Sequence, residues 1–321
     1  MQKTTKLNGQ KRKFLAALVA ASGSFIVGVF LPMDMWANSG KSVNQPTEIN
    51  AANTAVENPK IDKNALQEIV KIKPAVATTV KASENALTTL ELKRFNFAIP
   101  SRFHGTVVKD LKLTGKDKYI ALTFDDGPWP KTTEKILDIL KENEIKATFF
   151  VVGQHLKDRP ELAPKIVDGG HVLANHTWNH PTYKMGKEQV QSEVGRTAEL
   201  IYELTGMTTT LFRPPGGVLN NGLADFVKNR KHVVVMWSAD SVDWHYMSAS
   251  EITNNVVRRA SNGGIVLLHD GGGPRMHVVK ALPQMIERLR KQGYKFVTVP
   301  ELLEIKDREL KKQEKAKAGT S

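Results

Sequence analysis

The sequence predicts an α/β fold in which about seven parallel strands form a distorted, incomplete barrel. Strand-like apolar runs and helix-like segments alternate regularly from Tyr119 to Pro300. Successive strands joined through helices are parallel, and their crossovers are right-handed. An open, doubly wound sheet is the alternative, but Asp125-Asp126-Gly127-Pro128 stands where a glycine-rich dinucleotide motif would follow the first strand. The barrel is therefore favoured.

Each predicted element is a short periodic segment bounded by turn or capping residues. The predicted strands are 119–125, 147–152, 171–175, 210–213, 233–238, 265–269 and 295–299. The predicted helices are 131–143, 160–168, 187–205, 222–229, 249–260 and 278–292. Together they define a domain over residues 101–304, followed by a charged tail at 305–321 that we expect to be a solvated helix or disordered.

Residues 1–37 carry the features of an export signal. Lys11-Arg12-Lys13 precedes an uncharged run from residue 14 to residue 31, which Pro32 ends. This run is long for a signal-peptide core and short for a membrane span, so a cleaved signal and a retained anchor both stay open. The basic flank argues against a buried core helix. Residues 38–100 are poor in aromatic residues and predict a flexible tether. The protein is thus expected to be secreted or membrane-anchored, outside the cytoplasm in the cell envelope.

The formal net charge is +13, and much of it lies near the two ends of the chain. This distribution, without a zinc-finger spacing or a basic helix with interleaved aromatic residues, argues against nucleic-acid binding. An anionic cell wall or membrane surface fits the charge better. There is no cysteine, which excludes disulfides and thiolate metal ligands. Nothing in the pattern calls for a second subunit, and we expect a monomer.

Ionisable residues follow the ends of five predicted strands. Because the carboxyl ends of parallel strands meet at one rim, these side chains should gather into one site. They are Asp125 and Asp126, His176 and His180, Arg213, Asp240 and Asp243, and His269 and Asp270.

His176 and His180 are four residues apart, a spacing that places both rings on one side of a short helical turn. Pro181 limits the length of that turn. Two histidines and one carboxylate form a known metal triad that leaves positions open for water and substrate. Two surface or core histidines at helical spacing are the alternative.

Asp125 and Asp126 are adjacent, and the turn at Gly127 allows both carboxylates to face one site. Because two such carboxylates repel, one should bind a cation, and Arg213 can hold the other through two parallel hydrogen bonds. A plain Asp-Gly turn is the alternative. His269 follows a buried strand and, near Asp243, can serve either as a general acid or as a core residue.

Together these residues resemble the motifs of the polysaccharide deacetylases of carbohydrate esterase family four, over about residues 118–303. The five motifs occur in the family's order. They are Thr123-Phe124-Asp125-Asp126-Gly127, His176-Thr177-Trp178-Asn179-His180, Arg213-Pro214-Pro215-Gly216, Asp240-Ser241-Val242-Asp243-Trp244 and Leu267-Leu268-His269.

The resemblance implies that Asp125 is the general base and that Asp126, His176 and His180 bind the metal. Zinc is the usual metal of the family, and another divalent ion such as Co²⁺ is an alternative. Arg213 would then orient Asp125.

The same resemblance implies that His269 protonates the leaving amine and that Asp243 tunes it. Trp244 and Leu267 would line the acetyl pocket. The backbone N–H of Gly216 would donate to the oxyanion, although the family often has tyrosine at that position.

The implied function is metal-dependent N-deacetylation of a glycan that contains N-acetylglucosamine, with peptidoglycan as the first choice. Chitin oligomers, poly-N-acetylglucosamine, O-acetylated glycans and a non-catalytic wall-binding role are the alternatives. The other histidines are interpreted as structural or surface residues, with His171 close enough to support the site from behind. They are His104, His155, His171, His232, His245 and His277.

Overall fold

The computed structural model describes residues 98–245 and 247–319. One sheet contains nine strands, and all the strand pairs are parallel. The strands are β1 Val107–Val108, β2 Lys118–Asp125, β3 Thr148–Val151, β4 Val172–Asn175, β5 Leu211–Phe212, β6 Val233–Val235, β7 Ala239–Asp240, β8 Gly264–His269 and β9 Tyr294–Phe296.

The strand order is β1-β6-β5-β4-β3-β2-β8-β7, and the sheet curls into a half-barrel. β9 pairs with Lys118, Tyr119 and Ile120 at the start of β2, whereas β3 pairs with its last three residues. Within residues 98–245 and 247–319, β1 and β7 have no pairing with each other, so the barrel stays open. The predicted distorted, incomplete barrel is confirmed.

Helices connect most of the strands, as the alternation predicts. They are α1 Thr132–Glu142, α2 Gly153–Asp158, α3 Leu162–Asp168, α4 Lys187–Thr205, α5 Leu223–Lys228, α6 Ala249–Arg259, α7 Met276–Lys291 and α8 Val299–Ala318. β1, β7 and α2 were not predicted. β1 and β7 have only two residues each, and α2 has six, too few to show a periodic pattern.

The last predicted strand extends too far. β9 ends at Phe296, because Thr298 caps the following helix α8. The Thr298 backbone N–H donates to Glu301 Oε2 at 2.7 Å, and the Glu301 N–H donates back to Thr298 Oγ1 at 3.4 Å. This capping box starts the helix at Val299. The predicted boundary between residues 304 and 305 falls within α8.

Side chains of β2 alternate between two apolar clusters. Ile120, Leu122 and Phe124 pack outward with residues of α1, α6 and α7. Ala121 points inward, where the strands enclose Leu302 and Leu303 of α8. Alternation along a strand therefore places Thr123 and Asp125 on the same inner side, above the plug formed by α8.

The remaining sequence predictions concern residues near the ends of the chain. The predicted signal or anchor (1–37) and all but the last three residues of the predicted tether (38–100) lie outside the described residues. In the part of the chain that the structure describes, no helix has both the length and the apolar composition needed to cross a bilayer.

Because one side of α8 is buried inside the barrel, substitutions on its buried and exposed sides should change the free energy of unfolding by different amounts. Leu302 is fully buried, so Leu302→Ala should lower the free energy of unfolding by about 2–5 kcal/mol. Lys312 is exposed on the same helix, so Lys312→Ala should change it by less than about 0.5 kcal/mol. Urea unfolding of both variants measures the difference, and equal effects would show that α8 does not stabilise the barrel.

Candidate active site

The carboxyl ends of the strands surround a cavity of about 400 Å³. The sequence-predicted residues that line it are Asp125, Asp126, His176, His180, Gly216, Asp240, Trp244, Leu267 and His269. Arg213 and Asp243 lie directly behind this lining, each bonded to one of these residues. The structure therefore brings all the candidate site residues together.

Asp125 ends β2 and is almost completely buried. Arg213, fully buried, donates from Nη1 to Asp125 Oδ1 at 2.6 Å and to Thr123 Oγ1 at 2.8 Å. The prediction of two parallel hydrogen bonds is wrong, because Arg213 Nε and Nη2 donate instead to the backbone carbonyls of Val235 and Met236. The guanidinium thus binds β2 and the end of β6 together while it orients the carboxylate.

Asp126 lies just beyond β2 with a positive φ of 71°. This left-handed conformation is uncommon for a non-glycine residue, and it breaks the alternation of the strand. The side chain therefore faces the same cavity as Asp125. Asp126 Oδ1 is buried and has no hydrogen-bond partner, although His180 Nε2 lies 3.2 Å away and His176 Nε2 lies 3.4 Å away.

The segment between the two histidines is a bend, so the predicted helical turn is wrong. Thr177 and His180 have positive φ angles of 72° and 58°. Two hydrogen bonds hold this bend: the Thr177 N–H donates to Asn175 Oδ1 at 2.9 Å, and the His180 N–H donates to Thr177 Oγ1 at 3.0 Å. The rings still meet, with centroids 5.0 Å apart, because the bend reverses the chain within the same spacing.

Asp126, His176 and His180 can hold a metal ion, because one ligand atom from each lies within 4.8 Å of the others. His176 Nδ1 donates to the carbonyl of Arg213 at 2.7 Å, so Nε2 is the unprotonated nitrogen and its lone pair is available to bind a metal. Burial acts to raise the pKa of Asp126, but the neighbouring His176, His269 and His180 together outweigh it, so this pKa lies well below its usual range. Two imidazole nitrogens and an unpartnered carboxylate oxygen fit a divalent ion such as zinc.

His269 forms a pair with the fully buried Asp243 beside Asp125. His269 Nδ1 donates to Asp243 Oδ1 at 2.5 Å, and the His269 backbone N–H donates to Asp243 Oδ2 at 2.8 Å. Burial alone would lower the pKa of His269, but the hydrogen bond and charge of Asp243 raise it to about 9. His269 is the register partner of Asp125 in the pairing of β8 with β2, so an imidazole and a carboxylate lie side by side.

Gly216 and Gly217 turn the chain at the cavity wall with positive φ angles of 59° and 70°. A side chain at Gly217 would place its Cβ 2.8 Å from the ring of Trp237. Trp237 lines the cavity with Trp244, which is half-exposed. Trp237 thus supplies an aromatic wall next to the position where the family often has tyrosine. Sequence reasoning missed it, although it follows β6.

Two histidines without a spacing signal support the site. His155 Nδ1 donates to the carbonyl of Asp126 at 2.7 Å, and its ring meets the edge of Trp129 at 5.1 Å. His277 Nε2 donates to the carbonyl of Asp243 at 2.8 Å.

The suggestion that His171 supports the site is wrong. His171 lies just before β4, at the opposite end of the strands from the cavity. Its Nδ1 accepts from the Ala147 backbone N–H at 3.1 Å, and burial, followed by the charge of Lys146, lowers its pKa to about 4. It is a neutral core histidine.

A buried carboxylate, a two-histidine, one-carboxylate cluster and an imidazole paired with a carboxylate, all around one cavity, fit a hydrolase site of the metal-dependent class. Residues 112–235 match the family described as "Polysaccharide deacetylase". A peptidoglycan-N-acetylglucosamine deacetylase of Bacillus cereus is 38% identical over 209 residues, which are 62% of this chain and 98% of that relative. The chain belongs to the polysaccharide deacetylase family.

Two further proteins similar to this chain are a muramic acid deacetylase and a pseudoenzyme. The peptidoglycan-N-acetylmuramic acid deacetylase PdaC of Bacillus subtilis is 35% identical over 199 residues, which are 62% of this chain and 41% of PdaC. A PdaC structure aligns with a TM-score of 0.57 and 35% identity over 63% of this chain and 98% of the solved chain. A CE4 family pseudoenzyme from Bacillus anthracis aligns with a TM-score of 0.56 and 28% identity over 61% of this chain and 68% of its own.

The His155 hydrogen bond predicts a role in positioning Asp126. His155→Ala removes the donor that holds the Asp126 carbonyl, so the affinity for a divalent ion should fall about 10-fold. Calorimetric titration with Zn²⁺ measures the change. Gln154→Ala, an exposed neighbour on α2, is the matched control and should bind normally. An unchanged affinity of the His155 variant would show that Asp126 needs no such support.

Proposed function

We propose that this protein removes acetyl groups from N-acetylglucosamine units of peptidoglycan. The observation that carries the proposal is the placement of Asp125, the Asp126–His176–His180 cluster and His269 around one cavity. The name of the Bacillus cereus relative supports the choice of glycan and sugar. The formal charge of +13 favours an anionic wall as the environment.

The metal in this proposal is zinc, with Co²⁺ as the alternative, held by Asp126, His176 and His180. A divalent ion there supplies a Lewis acid that polarises the acetamide carbonyl and makes a water molecule more acidic. The protein contributes the rigid ligand set, because Arg213 fixes the tautomer of His176 through its carbonyl and His155 holds the backbone of Asp126.

The proton transfers are assigned to two side chains. Asp125, oriented by Arg213, accepts a proton from the water that attacks the acetyl carbon. The backbone N–H of Gly216 donates to the developing oxyanion. His269, kept protonated by Asp243, gives a proton to the departing nitrogen as the carbon–nitrogen bond breaks. The products are acetic acid and a free glucosamine unit. Asp125 is left protonated and His269 neutral, and proton exchange with the solvent restores both groups and ionises the acetic acid to acetate.

In the proposal, the N-terminal segment directs export of the chain to the cell envelope. Lys11-Arg12-Lys13 and the uncharged run after it would send the chain across the membrane, either released or still anchored. Residues 38–100 would give the catalytic domain 101–304 reach into the wall.

Release of acetate from N-acetylglucosamine oligomers by the full-length protein tests the proposal directly. Activity that a chelator abolishes and Zn²⁺ restores is the expected result. A protein that binds Zn²⁺ but releases acetate from O-acetylated glycans alone would move the function to ester substrates. No release from either class would favour the non-catalytic wall-binding role, in a family that also contains a pseudoenzyme.

Asp125→Asn separates the base from the metal site. The amide keeps the size of the side chain but cannot accept the proton, so turnover should fall at least about 10²-fold. Zn²⁺ affinity should stay within a factor of about three, because Asp125 is outside the ligand set. Turnover near the wild-type rate would refute the base assignment, whereas loss of Zn²⁺ would place Asp125 among the ligands.

Asp243→Asn tests the acid. Asp243 raises the pKa of His269, so His269 stays protonated until the pH rises to about 9. The Asn variant removes the negative charge, so the alkaline limb of the kcat profile should move to lower pH by about 1 unit or more. Profiles between pH 6 and 10 measure the shift at constant Zn²⁺, which acts on both proteins alike. A limb that does not move would exclude His269 as the acid.

A further inference from the structure

Arg275 is a second buried guanidinium at the catalytic cavity. It immediately precedes α7, is only 8% exposed, and lines the cavity together with Asp125, Asp126 and His269. The sequence gives no signal for it, because it follows the glycine run after His269 instead of ending a strand.

The hydrogen bonds of Arg275 use one of its five side-chain N–H groups. Nε donates to the carbonyl of Gly271 at 2.9 Å, and the backbone N–H reaches Thr132 Oγ1 at 3.4 Å. Among residues 98–245 and 247–319, no carboxylate forms an ion pair with it. By contrast, the guanidinium of Arg213 is used at all three nitrogens.

The acids of the site have contacts other than Arg275, among them Asp240, which accepts from the Val242 backbone N–H at 2.8 Å. Asp125 pairs with Arg213, and Asp243 pairs with His269. Asp126 faces the two histidines of the metal cluster. Asp270 accepts through Oδ2 from Thr133 Oγ1 at 2.5 Å, while its buried Oδ1 has no hydrogen-bond partner and forms no ion pair with Arg275. A buried guanidinium without a counter-ion costs free energy. A ligand that enters the cavity can supply the missing negative charge.

We propose that Arg275 binds a carboxylate group in the catalytic cavity. The two terminal nitrogens of a guanidinium match the two oxygens of a carboxylate, which is the strongest planar partner for this group. The proposal rests on the proposed function, which offers two sources of that chemistry. One is the acetate that the reaction releases. The other is the lactyl carboxylate that distinguishes N-acetylmuramic acid from N-acetylglucosamine in the glycan.

Binding measurements test the proposal without turnover. Wild-type protein loaded with Zn²⁺ is titrated with acetate, N-acetylmuramic acid and N-acetylglucosamine. The same titrations are made with Arg275→Gln and Arg275→Lys. Arg258→Gln, which removes the same charge from an exposed position on α6, is the matched control. The Lys variant keeps the charge but loses the planar fork, so it should recover only part of the binding.

The two sources give different results. If the product is bound, acetate affinity falls about 10-fold in Arg275→Gln, and so does inhibition of turnover by acetate. If the lactyl group is bound, affinity for N-acetylmuramic acid falls about 10-fold, and KM rises for peptide-free glycan strands but not for N-acetylglucosamine oligomers. Failure of the proposed function would appear separately, as wild-type protein that releases no acetate.

A purely structural role predicts another pattern. Loss of the bond to Gly271 would lower Tm and Zn²⁺ affinity and would slow both kinds of substrate equally. That result, or unchanged affinity for both carboxylates in a folded variant, would overturn the proposal. Should Arg275→Gln fail to fold, Arg275→Lys carries the test, and carboxylate affinities equal to wild type in that variant would refute recognition by the fork.

Discussion

The buried ion pair between Arg213 and Asp125 organises the centre of the molecule. Arg213 is fully buried, and its guanidinium reaches the inner side of β2 and the backbone carbonyls that follow β6. Removal of one partner from such a pair leaves an uncompensated charge, which costs about 3–5 kcal/mol. The same residue accepts the His176 Nδ1 hydrogen through its backbone carbonyl. One side chain and its own peptide group thus connect Asp125 to the Asp126–His176–His180 cluster.

Two adjacent carboxylates at one site are tolerable because the backbone separates their partners. Asp125 keeps strand geometry and turns toward Arg213, while Asp126 adopts a left-handed conformation and turns toward the two histidines. Such conformations persist only where the surroundings enforce them. Here the enforcing contacts are the His155 bond to the Asp126 carbonyl and the hydrogen-bonded bend before His180. Backbone strain and electrostatic separation are therefore two aspects of the same arrangement.

The sequence was sufficient for the barrel and for the charged residues that follow its strands, though not for Trp237 or Arg275, because periodicity reveals strands and their carboxyl ends share an edge. It was misleading for His176 and His180, since a spacing of four suits a helix as well as a bend with two left-handed residues. It was silent on His155 and His277, whose ring nitrogens donate to backbone carbonyls that other segments bring near. A hydrogen bond from a side chain to a distant backbone carbonyl leaves no recognisable pattern in the sequence. A strand of two residues such as β7 leaves none either, because it is defined only by its pairing with β8.

The pairing of charges around the cavity limits which ligand groups can be stabilised there. Three acids of the site lie against cationic or imidazole side chains of the fold: Asp125 against Arg213, Asp126 against the histidine pair, and Asp243 against His269. The charge of Arg275 is left uncompensated beside the reacting groups. A neutral N-acetylglucosamine unit gives this group nothing to pair with until acetate forms, whereas a muramic acid unit brings its own carboxylate. Arg275 is therefore the point where a carboxylate of the product or of a muramic acid unit can be recognised, whichever sugar loses its acetyl group.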